Sequence, residues 1–360
     1  MVFPTNGILQ NVKTTKNNPN PVSAVQHQPN LDKHRRHIYV YSPSGAVRDK
    51  AAFRRGVRRL EAMGHAVEVD KDALTSHQRF AGDDRTRLDA IHRAAASGAD
   101  MALMSRGGYG LSRLLPAIDY ALLARAIEKG CQFVGYSDFT ALQIALFAQT
   151  GCMSWAGPVV GGDFGALPAA DDIMQACFED VLLGRAEGTG WRVPKASSPR
   201  PLDAPDLIAA RAEDTGLNPD FVVENALLWG GNLAMLVSLL GTPYMPTLAA
   251  VKGGILFLED TGEHPYKIER MLIQLMHAGY LGTQQALVFG QFDGYERVPH
   301  DRGYNLVTVT QWLAERIPAR IVSGLPFGHG ALKVMLPVGC KRTTLVVEGR
   351  EALLLWGHLD

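Results

Sequence analysis

The order of apolar runs and helical segments predicts an α/β fold: a doubly wound, Rossmann-like parallel-sheet domain at the N-terminal end, followed by a smaller mixed α/β domain. Three observations carry this reading. Short apolar runs alternate with segments of helical periodicity from residue 37 to about residue 150, the runs end in turns rich in Gly and Ser, and a proline-rich stretch then breaks the rhythm. Strands alternating with helices pair in parallel through crossovers, and such sheets gather their ligands at the carboxyl ends of the strands. A chain of 360 residues, 46% hydrophobic, can bury a sizeable core and divides more readily into two domains than one.

Residues 1–36 are rich in Asn, Pro, Gln, Thr and Lys and run into the basic cluster Lys33, His34, Arg35 and Arg36, which reads as a disordered leader. From His37 to Tyr41 the chain reads as a strand, with a turn at Ser42-Pro43-Ser44-Gly45 and a helix from Lys50 to Met63. The cycle repeats with a strand from His65 to Val69, a helix from Asp83 to Ser97 and a strand from Met101 to Met104. A short helix from Gly110 to Ile118 and a strand from Phe133 to Gly135 follow, and an amphipathic helix begins at Ala141. Residues 37–186 are taken as the N-terminal domain. Five prolines between 187 and 222 mark a linker or insertion, and 223–360 is taken as the second domain. Within it, Val223 to Leu228 reads as a strand, Trp229-Gly230-Gly231-Asn232 as a turn, and the run to Leu240 as an apolar helix. Gly254 to Leu258 reads as a further strand, Tyr266 to Ala278 as a helix, and Ala286 to Phe289 and Thr344 to Val347 as strands.

Composition removes several function classes. Lys plus Arg and Asp plus Glu are each 36, so no global field favours nucleic acid or an anionic membrane, and no run approaches the roughly 20 apolar residues that span a bilayer. Four scattered cysteines without a C-x-x-C pair fit reduced thiols in a cytoplasmic protein better than a disulfide framework or a zinc site. The histidines show no metal-ligand spacing, and neither a dinucleotide fingerprint nor a P-loop is present, so the expectation is no metal and no cofactor.

The chemistry concentrates at Ser137. A strand feeding through Gly135-Tyr136-Ser137 into a helix sets the serine on a tight turn, with its hydroxyl at the sheet edge and the next backbone N–H groups alongside. Phe139 replaces the second glycine of the usual hydrolase elbow, and a plain helix cap is the alternative. The segment Arg106-Gly107-Gly108-Tyr109-Gly110 also follows a strand, and its adjacent glycines let N–H groups approach a ligand closely, as an oxyanion hole or a phosphate cradle requires. A base and an orienting acid are then needed. His329, flanked by Gly328 and Gly330 on a loop, has an exposed setting for its imidazole, and Glu259 closes an apolar strand. Glu263, four residues on, is the alternative acid. Spacing alone does not bring these residues together.

Five motifs in one order resemble the LD-carboxypeptidases, also called muramoyltetrapeptide carboxypeptidases. They are Arg106 to Gly110, Gly135 to Thr140, Trp229 to Leu233, Phe257 to Glu263 with Pro265 to Arg270, and Phe327 to His329. The resemblance runs from about residue 37 to the C-terminus and omits the leader and the insertion near 196–222. It implies a triad of Ser137 as nucleophile, His329 as general base and then acid, and Glu259 as the group fixing the imidazole. It also implies an oxyanion hole from N–H groups of Asp138 and of Gly107 or Gly108, a substrate-binding role for Arg106, an active site in the cleft between the domains, and a homodimer. The implied substrate is the peptidoglycan stem tetrapeptide, cut between the L-centre of meso-diaminopimelate or lysine and the terminal D-alanine, in cytoplasmic cell-wall recycling. Two other readings stand beside it. A sibling branch hydrolyses peptidyl-nucleotide antibiotics for self-immunity and needs an aromatic platform for a nucleobase, a job that the sequence assigns to neither Trp229 nor Trp191. The other is a non-catalytic α/β ligand-binding module in which Ser137 is only a cap.

Overall fold

The computed structural model describes residues 35–194 and 220–359, so the leader up to residue 34 and most of the insertion lie outside the described residues. Five short strands run in parallel: β1 (His37–Tyr41), β2 (Ala66–Val69), β3 (Met101–Met104), β4 (Gln132–Gly135) and β5 (Ser154–Ala156). Their spatial order is 2-1-3-4-5, a doubly wound arrangement with its topological switch between β1 and β3. Helices α1 (Lys50–Ala62), α2 (Asp84–Ala96), α3 (Tyr120–Glu128) and α4 (Thr140–Thr150) make the four crossovers, and α5 (Asp172–Leu182) follows β5. Asp49, Asp83, Asp119 and Asp171 each cap the first turn of the helix that follows by accepting a backbone N–H. Strands β1, β3 and β4 are buried on both faces almost throughout, which is why they read as continuous apolar runs.

The second sheet contains β6 (Gly188–Arg192), β7 (Phe221–Asn232), β8 (Ile255–Thr261), β9 (Ala286–Asp293) and β10 (Arg320–Ser323), and later β12 (Cys340–Glu348) and β13 (Glu351–Leu355). Its order is β10-β9-β8-β7-β12-β13-β6, parallel from β10 to β7 and antiparallel beyond. Between β10 and β12 the chain crosses over and places β11 (Leu336–Val338) antiparallel on the outer edge of β5, so the first sheet has six strands. Helices α6 (Leu233–Ser238), α7 (Leu248–Val251), α8 (Pro265–His277) and α9 (Leu306–Ala314) belong to this half.

Four local expectations are corrected. The expected linker contains a strand, β6, which lies along β13. The expected turn at 229–232 is the end of the 12-residue strand β7, bent open by two glycines with positive φ. The expected helix from Gly110 to Ile118 is two 3₁₀ turns, Leu111–Arg113 and Leu115–Ala117, the second containing Pro116, which has no N–H to continue a helical ladder. Helix α3 forms where no element is expected.

Candidate active site

Ser137, the Gly loop and His329 lie on loops that follow strands, whereas Glu259 lies inside one. Ser137 follows β4 at φ +64°, a left-handed conformation that non-glycine residues adopt rarely, at a cost of about 1–2 kcal/mol, and it lifts the hydroxyl off the sheet edge. A 3₁₀ turn, Ser137–Phe139, then leads into α4. The Asp138 side chain braces this turn: its Oδ2 accepts from Ser44 Oγ at 2.7 Å and from the Leu111 N–H at 3.0 Å. Burial pushes that carboxyl above its usual range, and the two donors oppose the shift. The turn after β1, the Gly loop after β3 and the serine turn after β4 are thereby locked together. Arg87, fully buried, adds to the lock by donating to the carbonyls of Pro43 and Gly110.

His329 and Glu259 reach the serine from the other sheet. His329 Nε2 lies 3.1 Å from Ser137 Oγ, and His329 Nδ1 lies 2.9 Å from Glu259 Oε2. Residues 192 apart in sequence are thus in hydrogen-bond contact. Glu259 is fully buried within β8 rather than following the strand. His329 is packed rather than open, 21% exposed, with its ring 5.0 Å from that of Tyr136. Burial pushes its proton affinity down, but the Glu259 carboxylate, through charge and hydrogen bond and with help from Asp293, outweighs burial and Lys333. The imidazole pKa is raised as a result. Glu263, the alternative acid, instead pairs with Lys267 at 3.3 Å.

Two features hold the sheets in this register. Thr140 Oγ1, at the start of α4, accepts the Asn232 N–H from the end of β7 at 3.0 Å. That approach requires Gly231, where a Cβ would come within 2.6 Å of Thr140 Oγ1. Asn232 Nδ2 in turn donates to Asp260, whose carboxyl is pushed up to about 7 by burial and by neighbouring Glu259.

Ser137 and His329 line a cavity of about 760 Å³. Most of its wall comes from the first half, including Arg48, Arg55, Arg106 and the glycines at 107, 108, 161 and 162, while Thr261 and His329 close it from the second. Neither the Gly107 nor the Gly108 N–H donates to any group among the described residues. Arg106 donates to the Ala46 carbonyl at 2.9 Å, and its pKa is lowered by burial and then by Arg48 and Arg79. None of Arg48, Arg55 and Arg106 forms an ion pair among the described residues, and Asp49 alone brings a carboxylate to the cavity wall, so positive charge predominates there. The tryptophans considered as platforms are buried: Trp229 donates to Gln284 Oε1 and Trp191 to the Ser323 carbonyl.

Sequence reasoning missed the Ser44–Asp138 brace, Arg87, and a buried pair between Asp163 and Lys333. The brace alone left a trace, since an Asp directly after a strand-end Ser is a candidate for more than a backbone donor.

Comparison with known proteins gives a consistent picture. Residues 38–157 match the model of the LD-carboxypeptidase N-terminal domain, and residues 225–344 that of the LD-carboxypeptidase C-terminal domain. The chain is similar to the crystal structure of muramoyltetrapeptide carboxypeptidase from Oxalobacter formigenes, with 36% identity and a TM-score of 0.75, covering 89% of this chain and 98% of that one. It is 28% identical to the probable murein peptide carboxypeptidase of Bacillus subtilis over 80% of this chain and 82% of that protein. It is 26% identical to the microcin C7 self-immunity protein of Escherichia coli, covering 83% and 87%.

Proposed function

Because the chain belongs to the LD-carboxypeptidase family, we propose that it is a serine carboxypeptidase that removes the terminal D-alanine from peptidoglycan-derived tetrapeptides by cleaving the LD bond. The observation that carries this reading is the hydrogen-bonded series Ser137–His329–Glu259 at the wall of a cationic cavity. The same proposal assigns the nucleophile to residues 37–186 and the base and acid to 223–360.

In this mechanism His329 Nε2 takes the Ser137 proton as Oγ attacks the carbonyl carbon of the third residue. Glu259 holds Nδ1–H and stabilises the imidazolium. The oxyanion is met by the N–H groups of Gly107 or Gly108 and of Asp138, fixed before the reaction and therefore free of reorganisation cost. Collapse expels D-alanine as its amine, which takes the proton from His329. A water molecule, deprotonated by the same imidazole, then attacks the acyl-enzyme, His329 returns that proton to the departing Ser137 Oγ, and the tripeptide leaves with a new carboxylate. Stem peptides carry several carboxylates, and the unpaired Arg106, with Arg48 beside it, gives them a counter-charge.

The self-immunity reading has less support. A nucleobase needs an exposed aromatic face, and both Trp191 and Trp229 are spent in the core. Cytoplasmic residence and a homodimer belong to this proposal as expectations drawn from the resemblance. Incubation with purified tetrapeptide, followed by detection of free D-alanine, tests the reading. Release of an aminoacyl group from a peptidyl-nucleotide with no D-alanine from the tetrapeptide would replace it with the sibling activity.

A further inference from the structure

Lys333 is fully buried, and its Nζ lies 2.8 Å from Asp163 Oδ1, in a pair whose two members come from opposite halves of the chain. Two such groups are costly to remove from water, and nothing in the hydrolytic steps above uses them. Their surroundings indicate what they do. Nζ also donates to the Gly330 carbonyl at 3.1 Å, one residue from His329. The Gly330 N–H donates to Gln291 Oε1 at 2.7 Å, from β9. The residue after the imidazole is therefore clamped twice, once by Gln291 of the second sheet and once by Lys333 of its own loop, which Asp163 ties to the first half. Asp163 sits in the short π-helical segment Val160–Phe164, anchored by the bond from the Val159 N–H to its Oδ2 and by the bond from the Gly161 N–H to the Ser105 carbonyl, next to the Gly loop. Lys333 Nζ also stands 4.5 Å from the centre of the Tyr136 ring, whose edge contact with His329 is 5.0 Å between centres. Both groups flank the same ring, so ammonium and imidazole are at most roughly 10 Å apart, within electrostatic reach in a protein interior.

We propose that Lys333 and Asp163 are positioning residues: their pair pins the His329 loop to the wall of the cavity and sets a positive charge behind Tyr136 that limits the proton affinity of the imidazole. The inference rests on the reading of His329 as the base. The charged and titratable groups facing His329 are Glu259 from β8, Asp293 from the end of β9, Tyr136 next to Ser137, and Lys333 on its own loop. Among these four, Lys333 is the group whose charge favours the neutral imidazole.

The test uses the full-length protein and two readouts, one of which needs no substrate. The His329 imidazole is titrated by NMR, and D-alanine release from the tetrapeptide gives kcat and KM. Lys333→Met removes the charge, and the titration midpoint is expected to move up by about 0.5 pH unit or more. The turnover is expected to fall by about 10²-fold, the scale of a displaced catalytic group, with little change in KM. Lys333→Arg keeps the charge and should hold the midpoint near the wild-type value. An unpaired Asp163 could impair folding of the methionine variant, so Lys333→Met combined with Asp163→Asn, which leaves no buried charge unpaired, is the second variant to measure. An unshifted His329 midpoint together with wild-type kcat in the folded double variant would overturn the inference. A shifted midpoint in a protein that releases no D-alanine would uphold the link between Lys333 and His329 and count against the carboxypeptidase reading instead.

Discussion

Replacing Gly107 by alanine isolates the geometry at the serine from the stability of the fold. Gly107 has no positive φ, so alanine suits its backbone. The added Cβ would stand 3.1 Å from both Cβ and Oγ of Ser137. Ordinary van der Waals contact between such atoms begins a few tenths of an ångström further out, so either the Gly loop or the serine must yield. The Ser137 turn is locked by Asp138, and the loop backbone carries the N–H proposed for the oxyanion, so either response spoils a distance that the reaction uses. A misplacement of about 1 Å costs about 10²-fold, and removal of an oxyanion donor costs ~10²–10³-fold. A shift of a few tenths of an ångström should therefore lower kcat by roughly 10- to 100-fold, equivalent to about 1.4–2.7 kcal/mol of barrier. Thermal melting should stay within a few degrees of wild type, since only one methyl group at a cavity wall has changed. The assay is the steady-state rate of D-alanine release, with near-ultraviolet circular dichroism as the control for folding. A folded Gly107→Ala protein with wild-type kcat would refute the part assigned to the Gly107–Gly108 loop in holding the oxyanion beside Ser137.

Ser137→Ala and His329→Ala should each reduce turnover by roughly four to six orders of magnitude, with Glu259→Ala somewhat milder, because the three act as a unit; a folded Ser137→Ala protein retaining a tenth of the activity would remove the nucleophile assignment. The base must be neutral to accept a proton, and its pKa is raised in the folded protein, so kcat/KM should climb with pH through a midpoint above the ordinary histidine value and level off beyond it. A pH–rate profile with its midpoint well below that value would contradict the Glu259–His329 pairing. Strong chelators should leave the rate unchanged, and rescue of a chelated sample by zinc would point to another mechanism. The tetrapeptide ending in D-alanine should be cleaved, whereas the pentapeptide ending in D-alanyl-D-alanine should keep its final bond, since inverting the acyl-side centre swaps a hydrogen for a side chain in the constrained approach to Ser137; equal release from the two would exclude LD specificity.

Ser137 was legible because strand, tight turn and helix follow one another within ten residues. His329 and Glu259 were legible as candidates and not as partners, since the contact between them depends on how two sheets dock, and only the resemblance joined them. Glu259 ran one element further inward than read: the apolar run ends at Leu258, but the strand continues through two carboxylates because the Asn232 side chain and the Ala234 and Thr261 N–H groups satisfy Asp260. Strand β6 was hidden by Gly188 and Gly190, which weaken the alternating pattern, and its single buried anchor is Trp191. Lys333 was invisible for a general reason. A lysine in a loop reads as solvated, and its acidic partner lies 170 positions away.

Strand β11 crosses from the C-terminal half to cap the first sheet, and β6 crosses from the N-terminal side to cap the second. The two halves therefore trade edge strands, and the described residues make up one compact unit rather than two. Severing the chain in the insertion would leave neither product whole: one piece would keep β5 with an open flank, and the other would keep β13 with one, each a template for aberrant pairing. Such reciprocal stitching makes unfolding a joint event. The loop bearing His329 lies between β10 in one sheet and β11 in the other, like a cable strung between two towers, and its tension is released only when both come down.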